Sequence, residues 1–223
     1  GVIVHDAILR HGTIAEGDAV TAAIDGVRRD RIRRNHTATH VLHWALRKVL
    51  GPHVQQAGSL VAPDRLRFDF SHHEAVTPEQ LREIERLANA QIIADLPVRH
   101  YETTKAEAEK AGAIAFFGEK YGERVRVLEA GPSVELCGGT HVDALGFIGP
   151  VKIVSEGSIG SNLRRIEAMT GDGAFEYIEE EENILRQTGE LLRAAPKEVP
   201  EKVERLVEQV KALQDELTRL KAK

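Results

Sequence analysis

The sequence has little of what most readily announces a function. It contains one cysteine, Cys137, so no disulfide framework can form, which suits a reducing cytoplasm. No apolar run approaches the roughly 20 residues that cross a bilayer, and no secretory signal pattern is present. The chain therefore reads as cytoplasmic, with no membrane partner. Nor is there an excess of positive charge: the net charge is −5, and any nucleic-acid contact must come from a local patch. Internal repeats and low-complexity tracts are also missing. The chain opens Gly1-Val2-Ile3 without a methionine, as an excised or processed chain would.

What remains is enough for one large domain or two small ones. Of 223 residues 42% are hydrophobic and 29% charged, so a sizeable core is within reach. Residues 1–30 read as short strands, with Val2, Val4 and Ala7-Ile8-Leu9 followed by glycines and the run Ala19 to Ile24, as in part of a small β-barrel. Arg28, Arg29, Arg31, Arg33 and Arg34 then crowd together, which suits a solvated helix entry and an RNA contact equally.

Asn35 is a good N-cap for a helix that runs to Leu50, where Gly51-Pro52 stops it. Leu66, Phe68 and Phe70 alternate with Arg65, Arg67 and Asp69 as a half-buried strand does. Thr77-Pro78-Glu79-Gln80 has the capping-box pattern. Further strands are expected over 98–103, 124–129, 133–136, 150–156 and 163–169, with a short helix at 105–111. After Gly171 strand signals vanish. Val199, Val203, Leu206, Val210, Leu213, Leu217 and Leu220 form an a/d seam.

The whole reads as α+β in three segments. These are a small N-terminal β-barrel portion (1–32), a domain of mixed sheet and helices (33–173), and a helical hairpin or coiled coil (174–223).

Two motifs carry chemistry. His36 and His40, four apart on a helix, present both imidazoles on one face, clear of the apolar face of Leu42, Ala45, Leu46 and Val49. His43 shares their side and is a candidate ligand or supporting residue. Some hundred residues on, Cys137-Gly138-Gly139-Thr140-His141 places a thiolate and an imidazole around two glycines that allow a tight turn. Three nitrogens and one sulfur suit tetrahedral Zn2+. The hydrolytic HExxH pattern is not met, because His36-Thr37-Ala38-Thr39-His40 has no carboxylate in that slot.

With these residues in view, the sequence resembles the editing region of bacterial alanyl-tRNA synthetase. The resemblance rests on Asn35 to His40, Gln56-Ala57-Gly58-Ser59-Leu60-Val61, Leu66 to Phe70, Glu135 to His141 and Arg164-Arg165-Ile166-Glu167-Ala168. It covers roughly 1–175 as barrel plus editing domain, and the tail is similar to that family's helical linker. Freestanding alanyl editing proteins and the threonyl-tRNA synthetase editing domain share parts of the pattern. The heptad tail and the Cys-Gly-Gly-Thr-His form favour the alanyl synthetase. Asn162-Leu163 departs from the Gly-Val expected before Arg164. Nothing resembles the family's ATP-binding motifs, so charging of tRNA is not expected of these residues.

The resemblance implies a zinc-containing domain that deacylates alanine tRNA mis-charged with serine or glycine. An alanine pocket rejects glycine by only about 1–3 kcal/mol for one methyl, and rejects an added hydroxyl poorly. A second site can destroy the wrong ester. Thr39, Gln56 and Ser59 line the editing cleft by this resemblance and are candidates to recognise a seryl hydroxyl. Cys137 belongs to both the metal set and the catalytic set, and the backbone amides of Gly138 and Gly139 are candidate oxyanion donors. Arg164, Arg165 and the 28–34 cluster are candidate phosphate contacts. Four protein ligands would complete a tetrahedral shell, which suits positioning of substrate as well as a structural role. The competing functions are a non-catalytic tRNA-binding module with structural zinc and an oligomerising scaffold that works through its C-terminal helices.

Overall fold

A 25-residue helix, Gly26–Leu50 (α1), organises the molecule. The computed structural model describes residues 4–115 and 122–222. The Asp25 carboxylate caps α1 by accepting from the Arg28 amide, so the helix begins well before Asn35. Its arginine-rich first turns have good helix propensity but no apolar period, which hid them from pattern reading. Asn35 is not a cap. Its amide donates to the Ala62 carbonyl at 2.7 Å and its carbonyl accepts from Thr170 at 2.8 Å, buried in mid-helix. Gly51 ends the helix at φ +117°, in the region that favours glycine.

The hairpin Gln56–Val61 (β1) and Leu66–Ser71 (β2) follows, then a helix Pro78–Ile93 (α2) with the expected capping box at Thr77. Next come Val98–Thr104 (β3), Lys105–Lys110 (α3), Arg124–Ala130 (β4) and Ser133–Leu136 (β5). Val151–Gly160 (β6) and Leu163–Thr170 (β7) complete the strands. Gly171–Leu192 (α4) and Val199–Lys221 (α5) end the described chain.

All pairing is antiparallel, in a four-stranded sheet β1-β2-β7-β6 and a three-stranded sheet β3-β4-β5. The fold is α+β, with two sheets and five α-helices among the described residues. In the turn between β6 and β7, Asn162 sits at φ +57°, a left-handed conformation that asparagine tolerates better than most side chains. That accounts for asparagine at the position where glycine was expected.

The main core joins Ala38, Val41, Leu42, Ala45 and Leu46 of α1 to Leu66, Phe68 and Phe70 of β2, Ile84 and Ala88 of α2, and Ile166 and Ala168 of β7. A satellite core of Ala108, Val125, Val127 and Leu136 underlies the small sheet. Because α1 touches both sheets, its stretch from Thr37 to His43 is buried on every side. His36 and His40 were expected to face away from the packed side. The small sheet covers that second side, so His40 is buried as well.

One expectation changes at the N-terminus. Val2 lies outside the described residues, and residues 4–25 form no strand, so no closed barrel is present among the described residues. Their apolar side chains, Val4, Ile8, Leu9, Ile14, Val20 and Ile24, are exposed. An apolar run becomes a strand only when a neighbour takes its backbone hydrogen bonds. The C-terminal helices do form a hairpin, closing where Gly189 lies against Ala194 and Val199. Beyond that turn the α5 seam from Val203 to Leu220 is exposed within the chain.

Candidate metal centre

His36 and His40 stand one turn apart on α1, and Cys137 and His141 lie in the loop that leaves β5. The Cys137 Sγ is 3.6 Å from His36 Nε2 and 3.3 Å from His141 Nε2. One donor atom from each of the four residues falls within 4.8 Å of all the others. Tetrahedral bonds of about 2.0–2.3 Å place donors roughly 3.3–3.8 Å apart, so the set needs little closing to hold an ion.

Glu135 holds the arrangement from behind. Its carboxylate lies 2.6 Å from His40 Nδ1 and 2.8 Å from His43 Nδ1, and it accepts from the Ser133 hydroxyl at 2.9 Å. A carboxylate on Nδ1 fixes the ring and leaves Nε2 for a cation. His43 is thus a support for Glu135, one of the two roles its position suggested. Glu135 and Cys137 are two residues apart along an extended segment and so point to the same side. That spacing was the available signal for Glu135, which entered the sequence reading only as part of a longer motif.

The electrostatics match. Burial opposes ionisation of Glu135, but the His40 charge and hydrogen bonds from His40 and His43 outweigh it and hold its pKa at about 2. Burial likewise opposes charge on His40, and Glu135 overcomes it, raising that pKa to about 9. Burial disfavours the Cys137 thiolate, yet hydrogen bonds from His141, His36 and His40 bring it down to about 3. His141 is lowered to about 4, first by burial and further by the neighbouring imidazoles. Glu135 and His40 thus favour each other's charged form, and Cys137 leans toward the thiolate, the form that binds a divalent cation.

The loop is tied at both ends. Arg126 donates to the carbonyls of Cys137 and Gly139 at 3.2 and 2.5 Å. Arg33 donates to the His141 carbonyl at 2.6 Å and pairs with Asp143 at 3.1 Å. The Thr37 hydroxyl lies 3.3 Å from His141 Nδ1 and accepts from the Val142 amide at 3.1 Å. Of the two loop glycines only Gly139 is sterically required: a Cβ there would sit 2.1 Å from His36 Cε1, whereas at Gly138 it would meet nothing within 4 Å. Arg126 and the clamping role of Arg33 carried no distinguishing mark in the sequence.

Thr39 is buried beside His40 in sequence, and its hydroxyl donates to the Asn35 carbonyl at 2.9 Å. Gln56 and Ser59 sit on the edge strand β1, 3.5 Å apart. Arg164 pairs through two nitrogens with Glu156 at 2.6 and 2.7 Å. Arg165 does the same with Asp69 at 2.7 and 2.9 Å.

Residues 125–167 match the family described as the threonyl and alanyl tRNA synthetase second additional domain. Over all of its 223 residues the chain is 50% identical to an alanine-tRNA ligase of Pelotomaculum thermopropionicum and 47% identical to that of Bordetella avium. A Paraburkholderia phymatum alanine-tRNA ligase is 49% identical over 222 residues. Along its whole length the chain is similar to a segment of alanine-tRNA ligases.

The match spans about a quarter of the length of those relatives, 25–26%. The matched family region begins on β4 and ends on β7. It takes in Glu135, Cys137 and His141, while His36 and His40 come from α1, ahead of it in the chain. No helix among the described residues is long and apolar enough to cross a membrane.

Proposed function

We propose that this segment hydrolyses the ester of mis-charged alanine tRNA, removing serine and glycine and sparing alanine, with Zn2+ held by His36, His40, Cys137 and His141. One observation carries the reading. Four metal-ligating side chains from separate parts of the chain converge within 4.8 Å, inside a segment that matches alanine-tRNA ligases from end to end. When bound, zinc would supply a positive centre able to orient the aminoacyl ester or polarise its carbonyl.

The chain's own residues supply the rest. Glu135 and His43 fix the His40 ring, and Arg126 and Arg33 fix the loop that carries Cys137 and His141. The Thr39 hydroxyl proton is committed to the Asn35 carbonyl, so Thr39 can serve a seryl hydroxyl only as an acceptor. Gln56 and Ser59 are the further candidates for that contact. A site that pairs with the seryl hydroxyl loses the partner when alanine is present, which favours hydrolysis of the serine ester. On the RNA side, Arg28 and Arg31 are exposed. A phosphate at Arg164 or Arg165 would have to share the guanidinium with Glu156 or Asp69.

The test is release of amino acid from Ser-tRNA and Ala-tRNA, both on alanine tRNA, at high concentrations of this chain. Preferential loss of serine, abolished by a chelator and by Cys137→Ala, is the expected result. If zinc stays bound, the chain stays folded and neither ester is cleaved, the segment is a non-catalytic module whose zinc is structural.

A further inference from the structure

A second group of imidazoles lies apart from the centre described above. His53 sits in the connection between α1 and β1, and His72 and His73 follow β2. The His53 Nε2 and His72 Nδ1 are 2.9 Å apart. The ring centroids of His53 and His73 are 5.8 Å apart and those of His72 and His73 5.1 Å. One nitrogen from each of the three rings falls within 4.8 Å of the others. Neighbouring residues of a strand point to opposite faces. His72 and His73 converge because the strand has ended at Ser71 and the backbone bends at His73.

The two segments that carry these rings are fastened together. The Ser71 hydroxyl donates to the His53 carbonyl at 2.9 Å and accepts from the Gln55 amide at 3.0 Å, while the Ser71 amide donates to the Gln55 carbonyl at 3.0 Å. The His72 amide donates to the Asn162 carbonyl at 3.0 Å, which ties it to the β6–β7 turn. His72 is buried, whereas His53 and His73 are exposed and free to adjust. Burial, with the adjacent His53 and His73, pushes the His72 pKa down. The Glu74 carboxylate stands 3.7 Å from His73 Nε2. The nearby Arg164 is already neutralised by Glu156.

We propose that His53, His72 and His73 form a second, solvent-facing site for a divalent transition-metal ion of the imidazole-preferring class, such as Zn2+. Two imidazole nitrogens at 2.9 Å share one proton. Opening them by a few tenths of an ångström exchanges that proton for a cation at ordinary metal–nitrogen distances. Three nitrogens leave further coordination positions to water or an exogenous ligand. None of these residues touches the four-ligand centre, so the inference stands whether or not that centre edits tRNA.

The experiment is equilibrium dialysis of the full chain against Zn2+, followed by metal analysis, with the double variant His53→Ala/His73→Ala and, separately, Cys137→Ser. Both histidines of the double variant are exposed, so its metal-free fold and melting temperature should match those of the parent. The parent is expected to hold one equivalent more than the double variant. Cys137→Ser is expected to keep that additional equivalent. Equal zinc contents in the parent and the double variant overturn the proposal. So does loss in Cys137→Ser of the equivalent attributed to the three histidines.

Discussion

At the scale of single residues, Glu135 and Gly139 lie against candidate ligands, Glu135 on His40 and Gly139 beside His36. Glu135 orients His40, and removing a carboxylate in that position typically costs 10–100-fold in metal affinity. A competition titration of Glu135→Gln against a chromophoric chelator is expected to show a loss in that range. Gly139→Ala places a methyl group where His36 now lies. It should weaken metal binding with little change in the overall fold, as read by circular dichroism.

The Glu135–His40 pair also predicts a pH profile for the metal-free chain. His40 is raised from 6.5 to about 9, so its contribution is complete below 6.5 and lost as pH climbs through 9. Glu135 is lowered from 4.5 to about 2, so its contribution is complete above 4.5 and lost as pH falls through 2. The stability difference between the parent and Glu135→Gln should therefore be largest between about pH 4.5 and 6.5 and shrink on either side. A flat difference from pH 4 to 10 in denaturant titrations would refute the pairing.

At the scale of elements, α1 and α2 differ in what holds them. α2 has a solvent-side cap, where Thr77 and Gln80 exchange hydrogen bonds at 3.2 and 2.9 Å. Thr77→Ala should cost about 1 kcal/mol in urea unfolding and leave metal affinity unchanged. α1 is held in mid-helix by Asn35, whose side chain spans from Ala62 to Thr170. Asn35→Ala leaves a part-buried carbonyl and a buried hydroxyl without this partner and should cost about 1–3 kcal/mol. It is expected to lower metal affinity too, because His36 follows Asn35 directly. That double effect, absent from Thr77→Ala, separates a site-bearing helix from a flanking one.

At the scale of the whole molecule, the four candidate ligands come from α1 and from the loop leaving the small sheet, so an ion would act as a cross-link between the two. Binding that favours the folded state adds about 4 kcal/mol at a thousandfold excess over the dissociation constant. For a chain of this size that corresponds to a melting shift on the order of 10 °C. Chelation should lower the melting temperature by about that much, and added zinc should restore it. Cys137→Ala should melt low from the start and respond much less to either treatment, because among the described residues only the three-histidine group is left to bind zinc.

Much of this molecule was legible in its sequence because the signals were local. The capping box at Thr77, the alternation of Leu66, Phe68 and Phe70, the stop at Gly51 and the spacing of His36 and His40 each depend on a few consecutive residues. Helix and strand periods alone turn such spacings into shared faces. Tertiary structure decided what depends on distant partners. The apolar run in residues 4–25 has no strand beside it. Asn35 became a buried tie because Ala62 and Thr170 arrive next to it. Arg164 and Arg165 met Glu156 and Asp69 across strand pairs. The joining of His36 and His40 to Cys137 and His141, with Glu135 behind them, required α1 to lie against both sheets. Sequence spacing does not specify that contact, because it is set by the packing of side chains far apart in the chain.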